Sequence, residues 1–419
     1  MTTVLGKKLA NWLCHADPAE FPYEDVVNEY LRVGKHFVCD DVLKALACVR
    51  DQLDHLPAGG SRESQLLRRF LGTALDKWDG RYDYTTYIAL GVLDLPSVDN
   101  PRASATVALT AHDRLVLQLI ADALGFELAA ADGRTTMLPE LRPDTRTVTK
   151  RHRLSMHAAT PALVRLGLDH EVTATEPVHA ARQLCALVDR TLTEPERSVL
   201  RLSLLPVYVV HDEYLFIRVL QLFETTFAMM AVQLQEAVRE IQRGDCAAAA
   251  SGLALATLVL RESAPLFSLL ATMQVESFRR FRVYTEGASA IQSRNYKIVE
   301  SLCRRPDRDR LASMAYQSVP EVRDRVLRGQ PTLDQAFTDA LASGRLSAAG
   351  RDVLTTAMHE LADALLRWRQ THYRLAVRML GERPGTGYTE GTPYLQAVRS
   401  IPVFRAADMT RQSGGDEPA

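Results

Sequence analysis

The sequence predicts an all-α fold, and three observations support this prediction. Apolar residues recur with the three-and-four spacing of a helix along most of the 419-residue chain. Alternating polar and apolar runs, which would indicate strands, are scarce. Polar interruptions such as RGDC at 243–246 divide the periodic segments into helices of ordinary length. These features favour a bundle of helices around a shared core.

The most regular helix is predicted between residues 204 and 241. A single stripe along it carries Leu215, Phe216, Val219, Leu220, Phe223 and Phe227. A second helix is predicted to begin after RGDC and to pack antiparallel to the first, because the connection between them is short. Further helices are predicted at 332–343 and 348–381. Thr193 and Glu196, in TEPE, predict a capping box where the helical core begins.

Changes in pattern divide the chain into five predicted regions. They are an N-terminal helical extension at 1–76, a tyrosine segment at 77–96, an insertion of mixed helix and loop at 97–200, a helical core at 201–410 and a disordered tail at 411–419. Within the insertion, the basic and proline-containing sequence PELRPDTRTVTKRHRLSMH at 139–157 is predicted to be a solvated surface loop.

Composition predicts a soluble, cytoplasmic protein with a small-molecule ligand. The 50 Lys and Arg residues nearly balance the 51 Asp and Glu residues, so neither nucleic acid nor an anionic membrane is an expected partner. The six cysteines form no C-x-x-C pair, which argues against a zinc site and a disulfide framework. The apolar run CAAAASGLALATLVL falls short of the ~20 residues that span a bilayer.

One histidine stands out on an apolar helical face. His372 shares that face with Leu365, Trp368, Ala376 and Met379. A lone histidine in such a place is ordinarily a core residue with a hydrogen-bonding partner. The same arrangement also suits the axial ligand of a haem, which needs a neutral imidazole between apolar flanks. The residues alone leave both interpretations open.

The sequence lacks the residues that several other kinds of site require. A carboxylate-bridged di-iron bundle requires Glu-x-x-His on two helices, but only EPVH at 176–179 is present, with a proline inside it. No His-Glu-x-x-His or Gly-x-Ser-x-Gly sequence occurs. The loop GTGYTEG at 385–391 follows a helix and not a strand, so it fits a ligand-closing loop better than a dinucleotide site. Arg282 is either a surface cation or, near a cavity, a fork for a carboxylate.

Four segments resemble the haem-dependent tryptophan 2,3-dioxygenases, in the order that this family has them. They are GRYDYTTYIALGVL at 80–93, HDEYLFIRVLQLFE at 211–224, FRRFRVYTEGASAIQSRNYKIVE at 278–300 and WRQTHYRLAVRMLGERPGTGYTEGTPYL at 368–395. The resemblance implies that residues 201–410 form a haem-binding helical bundle. It also implies that 77–96 contributes to the substrate site.

The resemblance assigns an iron ligand and an amino-acid clamp. His372 matches the axial ligand of haem b. Arg282 matches the arginine that binds the substrate carboxylate, and Thr386 matches the loop threonine at the ammonium and carboxylate end. Ser289 matches the small hydroxyl residue near haem and substrate.

The same resemblance assigns the surroundings of the substrate ring. Phe216 matches the aromatic residue that packs on the ring. Tyr84 matches a tyrosine that, in the family, comes from a neighbouring subunit, which implies a homo-oligomer, a dimer or a tetramer. Two positions depart from the family: Leu220 replaces the distal histidine that accepts the indole N–H, and Phe278 replaces a tyrosine beside the carboxylate site. Leu220 therefore permits substituted indoles or a ring without that N–H.

The function implied is a haem-dependent oxygenase that uses dioxygen as co-substrate. An aromatic α-amino acid, tryptophan or a substituted tryptophan, is the expected substrate, and insertion of both oxygen atoms into tryptophan would give N-formylkynurenine. The first alternative is a haem enzyme of specialised metabolism that performs monooxygenation or rearrangement on another amino acid. The second is a non-catalytic haem-binding helical protein. Arg282, Ser289 and Thr386 argue against the second, because a haem carrier needs no carboxylate fork.

Overall fold

The prediction of an all-α fold is confirmed. A computed structural model describes residues 4–55, 61–99, 105–381 and 392–405 of the chain. These residues form α-helices and short 3-10 turns, with no β-strand among them beyond one isolated bridge between Glu140 and Val210. The 3-10 turns lie at Pro18–Glu20, Lys35–Phe37, Asp169–Glu171 and Ala290–Gln292.

The first five helices come from the predicted extension and tyrosine segment. They are α1 (Val4–His15), α2 (Tyr23–Val33), α3 (Asp40–Asp54), α4 (Arg62–Ala74) and the short α5 (Tyr84–Tyr87). A buried lysine joins them. The ammonium group of Lys35 donates to Asp76 Oδ2 at 3.0 Å and to the carbonyl oxygens of Thr73 and Thr86 at 3.0 and 3.3 Å. These bonds fix α5 to the helices that precede it.

Four helices follow in the predicted insertion, and one of them corrects a prediction. They are α6 (Ala105–Ala131), α7 (Thr145–Arg165), α8 (Pro177–Thr191) and α9 (Glu194–Leu202). The basic segment 139–157 was predicted to be a surface loop, but most of it is the start of α7. Asp144 caps this helix by accepting a hydrogen bond from the Thr147 backbone at 2.7 Å. Pro143 precedes the cap and therefore leaves the helix intact.

The remaining helices form the core. They are α10 (His211–Arg243), α11 (Cys246–Glu262), α12 (Ala264–Leu270), α13 (Val275–Arg282), α14 (Arg294–Cys303), α15 (Arg308–Ala312), α16 (Met314–Gln317), α17 (Pro320–Leu327), α18 (Leu333–Ala342), α19 (Ala348–Leu380) and α20 (Thr392–Arg399). The predicted helices at 332–343 and 348–381 are α18 and α19. Helix α10 is central, packing against α6, α11, α14 and α18, and α11 also packs against α19. The five predicted region boundaries remain predictions. Helix α6, from the predicted insertion, packs directly on α10 of the core.

Two helical segments are long and apolar enough to cross a membrane by length and composition. These are His211–Arg243 and the run Cys246–Leu270, which continues across Ser263 beyond the apolar stretch seen in the sequence. Within the described residues, 89% of the most apolar window of the first is buried in the protein, and 56% of that of the second. A mostly buried core helix passes the same test of length and composition, and the first of these helices is mostly buried.

The predicted capping box at the start of α9 is confirmed. The Thr193 hydroxyl accepts a hydrogen bond from the Glu196 backbone at 3.4 Å, and Glu196 Oε2 accepts one from the Thr193 backbone at 2.8 Å. Two N–H groups that would otherwise lack a partner are thereby satisfied.

We predict that Thr193→Ala lowers the free energy of unfolding by about 1 kcal/mol, because it removes this cap. Urea denaturation followed by circular dichroism measures the change. Thr160→Ala is the control, since Thr160 is an exposed threonine in the interior of α7. A loss of stability as large in Thr160→Ala as in Thr193→Ala would contradict the prediction.

Candidate functional site

A single cavity brings together seven of the eight predicted site residues. Its lining includes Tyr84, Phe216, Leu220, Phe278, Arg282, Ser289 and His372. These side chains come from α5, α10, α13, the segment 283–293 and α19, so the fold assembles parts of the chain that are far apart in sequence. The eighth residue, Thr386, lies outside the described residues, as does the loop 385–391.

The cavity is large and mainly apolar. The space between its walls, including the open mouth, is about 1610 Å³. A cluster of phenylalanines forms part of its wall: the Phe216 ring lies 5.7 Å from that of Phe278 and 5.2 Å from that of Phe281, measured between ring centres. An apolar cavity with a few convergent polar groups is the usual form of a small-molecule site.

His372 faces this cavity from α19 and is enclosed by aromatic rings. The Trp368 ring lies one helical turn away, 5.2 Å from the imidazole between ring centres, and Phe267 from α12 lies at 6.4 Å. Burial lowers the pKa of His372 to about 4, and no hydrogen bond or charge in the described part of the chain contributes to that shift. The imidazole is therefore neutral near pH 7, and a ring nitrogen is free to bind a metal.

These residues fit a haem. The partly buried imidazole faces the cavity without a polar partner among the described residues, and a haem iron would bind its free nitrogen. Apolar walls suit the faces of the macrocycle. Lys297 and Arg369 add two buried cations to the lining, and these suit its carboxylate groups. Among the described residues, no group of three His, Cys, Asp or Glu side chains stands close enough to hold a metal ion without such a macrocycle.

Arg282 lies at the end of α13, beside the phenylalanine cluster. Phe281, the preceding residue, packs on Phe216, and Arg282 itself lines the cavity. A guanidinium group next to an aromatic wall can bind a carboxylate through two parallel hydrogen bonds while the rest of the ligand contacts the rings. The placement of Arg282 is therefore compatible with the carboxylate-binding role predicted for it.

Gln292 joins the Tyr84 segment to the Ser289 segment. Its side-chain oxygen accepts hydrogen bonds from the backbone N–H of Tyr84 at 2.7 Å and of Ser289 at 3.3 Å. The resemblance had implied that Tyr84 reaches the site from a neighbouring subunit. In the single chain, Tyr84 lines the cavity, and Gln292 and Lys35 hold α5 there; the contribution of a neighbouring subunit stays a prediction.

The HDE sequence at the start of α10 is not part of the cavity. His211 Nε2 lies 3.2 Å from Glu127 Oε2 on α6, and Asp212 Oδ1 accepts a hydrogen bond from Arg151 Nη2 at 2.6 Å. Asp212 Oδ2 also accepts one from the Gln274 backbone at 2.9 Å. These residues connect α10 with α6 and α7 in a buried network, so their role in the structure is to stabilise the fold.

Glu213, the last residue of that sequence, supports the cavity from behind. Its carboxyl group accepts hydrogen bonds from the backbone of Val207 at 2.7 Å and of Tyr208 at 3.0 Å, and from the Tyr87 hydroxyl at 3.3 Å. Burial raises its pKa to about 8, against these hydrogen bonds. Glu213 therefore holds the second tyrosine of α5 against α10.

Sequence reasoning missed Glu224, a lining residue whose carboxyl group can accept a hydrogen bond or bind a proton. It lies one helical turn beyond Leu220 on the cavity face of α10 and is fully buried. Oε2 accepts a hydrogen bond from Asn295 Nδ2 at 3.0 Å, whereas Oε1 has no partner within the described part of the chain. Burial raises its pKa to about 7. The signal in the sequence was an acidic residue within an otherwise apolar stripe.

The fold and the site define an all-α protein in which His372 faces a large, mainly apolar cavity, and comparison with known proteins finds tryptophan 2,3-dioxygenases among its relatives. Tryptophan 2,3-dioxygenase from Anaeromyxobacter sp. (strain K) is 28% identical over 228 residues, covering 46% of this chain and 84% of the relative. The enzymes of that name from Polaromonas naphthalenivorans (strain CJ2) and Pseudomonas aeruginosa (strain UCBPP-PA14) are 26% and 25% identical. Each covers 48% of this chain, and the matches span 82% and 81% of the relatives.

No family model matches the chain. At these identities the chain is a divergent relative of the curated tryptophan 2,3-dioxygenases. Roughly half of its residues lie outside the compared region.

Proposed function

We propose that the chain is a haem-dependent oxygenase acting on an aromatic α-amino acid, with tryptophan or a substituted tryptophan as the leading substrate. The observation that carries the proposal is the neutral, partly buried imidazole of His372, which faces an apolar cavity without a polar partner in the described part of the chain. The relatives, which are named as dioxygenases, agree with it.

Each residue of the cavity has a part in this proposal. Haem bound there would supply the activation of dioxygen. Arg282 binds and orients the substrate carboxylate, and Thr386 assists at the same end of the amino acid. Phe216 packs on the aromatic ring, Phe278 lies beside the carboxylate end, and both exclude water from the site. The protein thus contributes mainly orientation, which accounts for large rate effects without an acid–base pair.

Leu220 supports a second candidate function. Its side chain can accept no hydrogen bond, and an indole N–H left unpaired in a buried site costs about 1–3 kcal/mol. A haem enzyme of specialised metabolism, which performs monooxygenation or rearrangement on a different amino acid, would not incur this cost at Leu220. A cytoplasmic location and a homo-oligomer remain predictions from the sequence.

The test is an ultraviolet–visible titration of the reduced protein with aromatic amino acids in air-free buffer, followed by exposure to oxygen and product analysis. We expect a haem Soret band that shifts with one class of amino acid and a product that contains oxygen. N-formylkynurenine formed from tryptophan would identify the leading function. A singly oxygenated or rearranged product would identify the second candidate. Protein that stays colourless after expression with ample haem would overturn both.

We predict that Arg282→Ala weakens amino-acid binding by roughly 10- to 150-fold and leaves haem binding intact, because a charged hydrogen-bonding pair is lost. The shift of the Soret band as amino acid is added measures the affinity. Arg279→Ala is the matched control, since Arg279 lies on the exposed side of the same helix. If both variants bind alike, Arg282 does not bind the carboxylate. If the wild-type spectrum responds to no amino acid, the protein is a non-catalytic haem-binding protein.

A further inference from the structure

Glu224 is the sole acidic residue among the described residues that line the cavity. The other ionisable lining groups are cations, histidine and tyrosines. A buried carboxyl group is costly unless it accepts hydrogen bonds. Glu224 Oε2 accepts a hydrogen bond from Asn295, the Ser293 and Tyr84 hydroxyls lie beside the carboxyl group, and its Oε1 has no partner of good geometry in the described part of the chain. Glu224 Oε1 can therefore accept a further hydrogen bond.

The position of Glu224 along α10 indicates which part of a bound amino acid it meets. Phe216 is the residue of α10 that lies near Arg282, because it packs on Phe281, the residue next to Arg282. Glu224 lies eight residues further along the helix, roughly 12 Å at 1.5 Å per residue. The ammonium and carboxylate groups of an amino acid share one carbon atom, so both stay near Arg282. The side-chain ring is the part that extends toward Glu224.

Tyr84 lies beside this carboxyl group and lines the same cavity. Burial and the nearby Glu224 carboxyl group hold the pKa of Tyr84 well above its usual range, so the phenol keeps its proton beside that carboxyl group. A phenol has one proton to donate. When that proton is directed at Glu224, the phenol oxygen is left as an acceptor for a group in the cavity.

We propose that Glu224 and Tyr84 form an acceptor pair that selects substrates whose aromatic ring carries an N–H or O–H donor. Glu224 is a positioning residue that takes the Tyr84 proton, and Tyr84 accepts the hydrogen bond of the substrate. The inference rests on the proposed function, and it names the substrate class: hydroxylated aromatic rings, or indoles that present the N–H at the level of Glu224 and not at that of Leu220.

The first test compares paired amino acids on the haem-loaded, full-length wild-type protein. The pairs are L-tyrosine with O-methyl-L-tyrosine, and L-tryptophan with 1-methyl-L-tryptophan. Their affinities come from the shift of the Soret band. We expect the donor-bearing member of at least one pair to bind roughly tenfold more tightly or better. Equal affinities within both pairs would overturn the acceptor pair and leave the proposed oxygenase standing, whereas a haem band that responds to no amino acid would overturn the oxygenase itself.

Two variants then test whether Tyr84 and Glu224 cause this preference for donor-bearing ligands. In Tyr84→Phe and Glu224→Met we expect the preference within the pair to fall below about threefold, on the same hydrogen-bond scale. Tyr30→Phe is the control, since its hydroxyl is buried against the Ala74 carbonyl away from the cavity lining, and it should keep the preference. A preference that survives both cavity substitutions would overturn the proposal.

A third comparison removes the ammonium group. If tryptophan binds more tightly than 1-methyl-tryptophan, indole-3-propionate should bind more tightly than its N-methyl derivative. If tyrosine binds more tightly than O-methyl-tyrosine, the corresponding phenol acid should bind more tightly than its O-methyl form. A preference that disappears without the ammonium group would show that Glu224 binds the ammonium, and this result would also overturn the proposal.

Discussion

His372→Ala protein, expressed with ample haem, is expected to be purified without the Soret band that the wild type shows. The imidazole faces the cavity from α19, is neutral near pH 7 and has no polar partner in the described part of the chain. Partners of a metal ligand alone change metal affinity by roughly 10–100-fold, so removal of the ligand should exceed this range. Haem titration of the apoprotein, followed by absorbance, measures the change.

His157→Ala is the control for this variant, because His157 is an exposed histidine on α7. It should bind haem as the wild type does. Circular dichroism on both variants separates loss of haem from loss of fold. A His372→Ala protein that is folded and keeps wild-type haem affinity would mean that another residue holds the iron, and the assignment of His372 would be wrong.

Arg151→Met is expected to lower the free energy of unfolding by about 3–5 kcal/mol, the usual cost of breaking a buried ion pair from one side. Arg151 is 1% exposed. Its guanidinium donates to Glu127 Oε1 at 2.5 Å and to Asp212 Oδ1 at 2.6 Å. Removing the cation leaves two buried carboxyl groups without their shared positive partner, and His211 at Glu127 and the Gln274 backbone N–H at Asp212 remain beside them.

Urea denaturation measures this loss, with Arg153→Met as the matched control. Arg153 lies two residues further along α7 and is exposed, so its replacement should change stability by less than about 0.5 kcal/mol. Equal effects of the two substitutions would show that the buried network contributes little. Replacing Arg151, Glu127 and Asp212 together by apolar residues should recover much of the loss, because no unpaired charge then remains.

The helices that sequence reasoning located well are those whose apolar pattern alone determines their packing. The predicted helices at 332–343 and 348–381 correspond to α18 and α19 within a residue or two. Helix α10 begins later than predicted, at His211, because Leu204–Val210 carries an isolated bridge and a proline and does not form a helix. Apolar periodicity shows where a helix packs, but its first turn depends on local polar groups.

Helix α7 could not be predicted from its own residues. Its sequence is rich in arginine, histidine and threonine, a composition that normally indicates solvent exposure. Arg151 is buried there because Glu127, 24 positions earlier, and Asp212, 61 positions later, neutralise it. No local pattern reveals such distant partners, and these partners decide that the segment is a buried helix and not a loop.

The candidate site was largely predictable as a set of residues but not as an arrangement. Motif resemblance selected seven described residues that share one cavity, while their roles remain proposals. It missed Glu224, since a single acidic residue in an apolar stripe has no motif. Its implication that Tyr84 reaches the site from a neighbouring subunit stays a prediction, because neither the sequence nor a single chain tells which copy of a segment occupies a site in an assembly.

The attachment of α5 to α10 has a genetic consequence. The Tyr87 hydroxyl is bound by Glu213, and the Ile88 carbonyl accepts a hydrogen bond from Gln221 at 2.8 Å, all within one polypeptide. Each polypeptide thus holds both its α5 tyrosines and its own His372. Co-expression of a Tyr84 variant with a His372 variant should therefore fail to complement, because no mixed assembly of two damaged chains contains an intact cavity.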